Sequence, residues 1–111
     1  MKIVFFAFKG ELLCFNHIML NARDMNEKGI EIKIVMEGEA VKLIKVLEEQ
    51  KNELYLELKE KKIFDCICQA CSYKMGVLEY NKSCGIPMNG ELSGHPSMTG
   101  YIQDGYQVIT L

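Results

Sequence analysis

The sequence predicts one α/β domain in which a mostly parallel sheet is sandwiched between helices. Three observations carry that expectation. Strand-like and helix-like segments alternate along all 111 residues. The first strand-like run, residues 3–8, is apolar at nearly every position, as in strands covered on both faces. The connections are short, which favours right-handed β-α-β crossovers within one sheet.

The elements follow in order. Residues 3–8 mix β-branched and aromatic side chains and form the first strand. From Leu12 the period changes: Leu12, Phe15, Met19, Ala22 and Met25 recur every three or four residues and mark one face of a helix. Gly29 stops it. Residues 30–36 form a second strand with Ile30, Ile32, Ile34 and Met36 on one face. Gly38 turns the chain into a second helix whose buried stripe is Ala40, Leu43, Ile44 and Leu47. Asn52 caps a further helix to about Lys61. Leu54, Leu56 and Leu58 also alternate like a strand, but Glu, Lys and Leu are helix formers and Leu54 and Leu58 lie four apart. Residues 63–68 form the third strand, broken only by Asp65, and a helix over residues 69–79 follows. Turn residues crowd the stretch from Asn81 to Pro96, with a short fourth strand at residues 86–88. Ser97 caps a last helix over residues 98–104, and residues 106–111 make the final strand.

Bulk properties exclude several classes. A hydrophobic fraction of 49% and a charged fraction of 25% are those of a folded globular chain. The net charge of −2 offers no basic stripe, so nucleic acid is not the expected partner. No apolar run approaches the roughly 20 residues that span a bilayer. The start of the chain lacks a small-x-small cleavage pattern, which predicts a cytoplasmic protein rather than a secreted one. Five cysteines, an odd number, fit reduced thiols better than a disulfide scaffold. No glycine-rich nucleotide loop is present, so no cofactor is expected.

The chemistry concentrates in Cys66-Ile67-Cys68-Gln69-Ala70-Cys71. Alternation puts Cys66 and Cys68 on one strand face, Cys68 at the strand end, and Cys71 in the first helical turn. In parallel sheets, sites form at the carboxyl ends of strands. A thiolate at a helix N-terminus has a lowered pKa. The C-x-x-C spacing brings two sulfurs near enough for a disulfide or for passing sulfane sulfur. Three readings stay open: thiol or persulfide chemistry at Cys68 and Cys71, a metal site, or simple packing, since cysteine is also a small buried hydrophobe. Packing describes Cys66 and Cys14. A metal would draw on Cys84 and His95 as well, giving a Cys₃His set. His95, in Gly94-His95-Pro96-Ser97, falls in a loop at the strand ends, where it can pair with a thiolate or donate a proton; alternatively it only fixes the loop. His17, mid-helix beside apolar residues, reads as structural.

The run Cys68-Gln69-Ala70-Cys71-Ser72-Tyr73-Lys74-Met75-Gly76, after an apolar strand, resembles the cysteine segment of DsrE/DsrF-like proteins. The closing Gly-His-Pro-Ser-Met, Tyr-Ile and Gly-Tyr-Gln-Val-Ile-Thr segments resemble small members of that group. The resemblance implies a five-stranded parallel sheet between helices and a homo-oligomer, often a trimer or hexamer. It also implies sulfur trafficking, in which a cysteine carries a persulfide between sulfur donors and acceptors. The family's carrier precedes a glycine by eight positions, so Cys68, before Gly76, inherits that role and Cys71 a supporting one. One departure stands out: many sulfur-relay members have Arg before that glycine, where this chain has Lys74-Met75.

Overall fold

The computed structural model describes residues 1–111. Five strands, β1 (Lys2–Ala7), β2 (Glu31–Met36), β3 (Phe64–Cys68), β4 (Met88–Asn89) and β5 (Tyr106–Thr110), form one sheet in the order β4-β3-β2-β1-β5. Every neighbouring pair is parallel. The expected five-stranded parallel sheet is therefore the observed one. β1, flanked by β2 and β5, is buried from Ile3 to Ala7, which is why that run carries no polar residue.

The strand order decides where the helices go. From β1 to β4 the chain steps across the sheet in one direction, so right-handed crossovers put all intervening helices on one face. These are α1 (Leu12–Glu27), a 3-10 turn (Gly38–Lys42), α2 (Leu43–Glu49), α3 (Glu53–Glu60), α4 (Gln69–Lys74) and α5 (Leu78–Ser83). The last crossover runs back to β5 and leaves α6 (Thr99–Gln103) alone on the other face. The two cores reflect this. A cluster of 22 buried residues lies under α1 to α5, and one of five, Val4, Phe6, Val35, Cys66 and Tyr106, lies under α6.

The segment at residues 53–60 is helical, as its composition favours. Asn52 caps it by accepting a hydrogen bond from the Tyr55 N–H at 2.9 Å. Tyr55 is fully buried, and its hydroxyl donates to Glu48 at 2.7 Å. Lys59 and Tyr80 donate to the same carboxylate, which ties α2, α3 and α5 together.

Three boundaries differ from expectation. The helix expected over residues 69–79 breaks into α4 and α5, because Gly76 takes φ +72° after Met75. The fourth strand is Met88–Asn89 rather than residues 86–88, since only Met88 and Asn89 pair with β3. α6 starts at Thr99, and Ser97 Oγ accepts from the Thr99 N–H in a local turn rather than at the cap position. No helix is long and apolar enough to cross a membrane.

Candidate functional site

The carboxyl ends of β2 and β3 lie side by side, with Met36 opposite Ile67. Each strand presents one reactive group where it stops. Cys68 ends β3 and is the N-cap of α4; its Sγ accepts from the Cys71 N–H at 3.4 Å. Glu37 follows β2, held by its own N–H donating to the Ala7 carbonyl at 2.8 Å. Gly38 then turns the chain at φ +50°; a Cβ there would stand 2.9 Å from the Phe8 carbonyl oxygen.

His95 arrives from the loop after β4. Leu92 and His95 exchange both backbone hydrogen bonds across Ser93 and Gly94. Ser93 and Gly94 both have positive φ, +50° and +94°, as in the tight turns that join antiparallel residues. The Gly94 carbonyl accepts from the Ala70 N–H at 2.8 Å, which fastens the loop to the start of α4. A Cβ at Gly94 would lie 3.0 Å from that of Ala70, so glycine answers both the conformation and the close approach.

The result is a four-membered cluster. Cys68 Sγ lies 3.1 Å from His95 Nδ1, and Cys71 Sγ lies 3.9 Å from the same nitrogen. The Cys71 thiol donates to Glu37 Oε1 at 3.5 Å. Glu37 Oε1 stands 3.6 Å from His95 Nδ1. All four reactive atoms fall within 4.8 Å of one another. Cys68 is fully buried, whereas Cys71 and His95 are partly exposed.

Cys68, Cys71 and His95 thus meet, as their strand-end positions suggested. Cys84 does not join them. It sits at the C-cap of α5, with its thiol donating to the Asn81 carbonyl at 3.1 Å, on the side of Lys59 and Glu48. The Cys₃His set is therefore not assembled, and Glu37 takes the fourth place. Glu37 carries no local motif. Its signal was positional: it is the first residue beyond β2, at the sheet end where sites form.

Two further expectations are corrected. Cys66 and Cys68 do not share a face. Cys66 packs with Val4, Phe6 and Val35 beneath α6, while Cys68 belongs to the larger core. Alternation fails because β3 ends at Cys68, whose side chain turns over to cap α4. Nor is the Cys68 thiol acidified. Burial pushes its pKa far above the ordinary thiol range, the Glu37 carboxylate adds to the rise, and the Cys71 N–H opposes it only in part. α4 has six residues, too few for a strong dipole to offset desolvation. His17 is exposed on α1, and Cys14 is half-buried three residues before it.

Comparison with known proteins places the chain. An uncharacterized protein of Methanocaldococcus jannaschii is 32% identical over 117 residues, covering all of this chain and 96% of its own. An uncharacterized protein of Archaeoglobus fulgidus is 38% identical over 39 residues, covering 35% of this chain and 64% of its own. Among solved structures, a conserved protein of unknown function from Bacteroides thetaiotaomicron superposes with a TM-score of 0.73 at 22% identity, covering 99% of this chain and 94% of that one. The DsrE/DsrF-like family model matches residues 4–111, and with that match over nearly its whole length the chain belongs to the DsrE/DsrF-like family.

Proposed function

We propose that the protein is a sulfur-relay carrier in which sulfane sulfur enters at Cys71. The family is one associated with sulfur relay. The observation that carries the reading is the arrangement of two thiols around one imidazole nitrogen, at 3.1 and 3.9 Å, where two strands end. Exposure supports this entry point: Cys68 is sealed from donors, whereas Cys71 is partly open. The resemblance implies Cys68 as carrier; its burial favours Cys71, three residues along, in the present reading.

The Cys71 proton passes to His95, whose imidazolium is held by Glu37. The Cys71 thiolate attacks the outer sulfur of a sulfane donor. With thiosulfate, the S–S bond of the donor breaks, sulfite leaves with the bonding pair, and Cys71 keeps a persulfide. An acceptor thiolate then takes the terminal sulfur and Cys71 regains its proton from His95. Cys68 provides a second exit. Its sulfur attacks Cys71 Sγ as the Cys68 proton passes to the departing outer sulfur, which leaves as hydrogen sulfide, and a Cys68–Cys71 disulfide remains.

The test is intact mass after incubation with thiosulfate or polysulfide, on protein freed of metal. Wild type should gain one sulfur, Cys71→Ser none. Cys68→Ser should gain the sulfur yet form no internal disulfide. An unmodified wild type, or an equal adduct on Cys71→Ser, contradicts the reading.

The working form we propose is a homo-oligomer in the cytoplasm. A groove of about 700 Å³ between α1 and β5, lined by Phe5, Phe15, Ile18, Met25 and Leu111, supports this, as does Leu13, 77% exposed on α1. Sedimentation should give a mass above one chain, reduced by Leu13→Asp; a monomeric wild type refutes it.

A further inference from the structure

We propose that Glu37, Cys68, Cys71 and His95 form a tetrahedral site for a thiophilic divalent cation, with zinc the best match. A Cys₂HisGlu set offers two thiolate sulfurs, one imidazole nitrogen and one carboxylate oxygen, the donor types that zinc prefers.

The spacing fits. Bond lengths of about 2.3 Å to sulfur and about 2.0 to 2.1 Å to nitrogen and oxygen, set tetrahedrally, separate neighbouring donors by about 3.3 to 3.8 Å. The observed separations are 3.1 Å from Cys68 Sγ to His95 Nδ1, 3.9 Å from Cys71 Sγ to the same nitrogen, 3.5 Å from Cys71 Sγ to Glu37 Oε1, and 3.6 Å from that oxygen to the nitrogen. The other two separations, from Cys68 Sγ to Cys71 Sγ and to the carboxylate, lie within 4.8 Å, so movements of up to about 1 Å bring the four donors onto one ion.

A second observation points the same way. Glu37 is buried, at 6% exposure, and no lysine or arginine pairs with it. A buried carboxylate ordinarily has a cationic partner. Here its neighbours are a thiol and an imidazole, groups that become ligands once a cation arrives. The surrounding backbone already orients them. The Cys71 N–H donates to the Cys68 sulfur at 3.4 Å, a bond that the thiolate keeps. Such an outer contact fixes a ligand in place before metal enters.

On binding, the two thiols release two protons to solvent, and the ion takes both thiolates, the neutral imidazole and the carboxylate. The site does not rest on the sulfur-carrier reading. Ion and persulfide compete for the same sulfurs, so the two assays report on different forms of the protein.

The experiment titrates reduced, chelator-treated protein with Co²⁺ and then Zn²⁺, and records the absorption spectrum. Expected are intense thiolate-to-cobalt charge-transfer bands with the visible bands of tetrahedral cobalt, saturating near one equivalent and abolished by zinc. Cys71→Ser, Cys68→Ser and His95→Ala should each weaken cobalt binding by more than about 100-fold, beyond the effect of losing an outer-sphere contact. Glu37→Gln should weaken it less but change the band pattern. Cys84→Ser should leave the titration unchanged. Because Cys68 is part of the core, ¹¹³Cd NMR of the unmutated protein gives an independent reading, with a shift diagnostic of two sulfur ligands. Absence of charge-transfer bands, a cadmium shift without sulfur coordination, or loss of binding in Cys84→Ser with retention in Cys71→Ser would overturn the assignment.

Discussion

Cys66 and Cys68 stand two residues apart in one strand, both are buried, and they share almost no surroundings. Cys66 faces the thin side of the sheet, where its sulfur lies 3.6 Å from the Tyr101 hydroxyl. Asp65 accepts a hydrogen bond from that same hydroxyl. The two neighbours reach one partner because β3 carries an extra residue there: Phe64 lies opposite Ile34 and Cys66 opposite Val35, which leaves Asp65 as a bulge. Cys68 faces the end of the sheet, with a base at 3.1 Å, a second thiol and a carboxylate. The difference shows how chemical character depends on what an element does at that residue. Inside the strand a thiol is packing, and at its end the same thiol is one member of a site.

The sharpest contrast in reactivity is between Cys66 and Cys71, the partly exposed thiol beside Cys68. Burial, more than the hydrogen bond with Tyr101 can offset, pushes the Cys66 thiol up to about 11. At pH 7 that lowers the thiolate fraction roughly 100-fold below an ordinary thiol, before steric protection is counted. Timed alkylation with peptide mapping should find Cys71 modified in the native protein and Cys66 modified only on unfolding. Early labelling of Cys66 would break the comparison.

Next in size is the cover over the thin face. Tyr101 packs edge-on against Phe6 and Tyr106, at centroid separations of 5.6 and 5.9 Å. Tyr101→Ala should cost about 3 kcal/mol in chemical denaturation, because α6 is the only helix on that side. Tyr101→Phe keeps the ring and removes the shared hydroxyl, and should cost about 1 kcal/mol. Neither change should alter sulfur loading at Cys71, and a large loss there would couple the two faces.

The smallest effect is alkaline. The folded pKa of Cys66 is raised above its unfolded value. The protonated thiol therefore contributes stability fully below about pH 8.5, and that contribution is lost as the pH climbs toward about 11. Cys66→Ala should flatten this decline in denaturation midpoints measured above pH 8.5. An unchanged slope would place the alkaline loss elsewhere.

Much of the fold was legible in the sequence because its signals are local. The apolar run of β1, the 3.6-residue stripe of α1 and the Asn52 cap each depend only on neighbouring residues. The thin second layer was not legible, since it follows from strand order, which periodicity does not encode. The helix break at Gly76 had a visible glycine, but Val77 and Leu78 continue the apolar pattern across it. At the site, Cys68, Cys71 and His95 were readable from the strand-end rule. Glu37 was hidden because a single carboxylate after a strand looks like surface until β2 and β3 are seen side by side. Cys84 was grouped with them only by residue type. Its place at the end of α5 turns it toward Asn81 instead.

The central claim is that Glu37, Cys68, Cys71 and His95 work as one site. Its most direct test is residue-resolved cysteine labelling of the unmutated protein, with and without stoichiometric Zn²⁺. Zinc should protect Cys71, while Cys14 and Cys84 label at unchanged rates and the sealed Cys68 stays unlabelled with or without zinc. Labelling of Cys71 that ignores zinc, or equal protection of Cys14, Cys71 and Cys84, would contradict it.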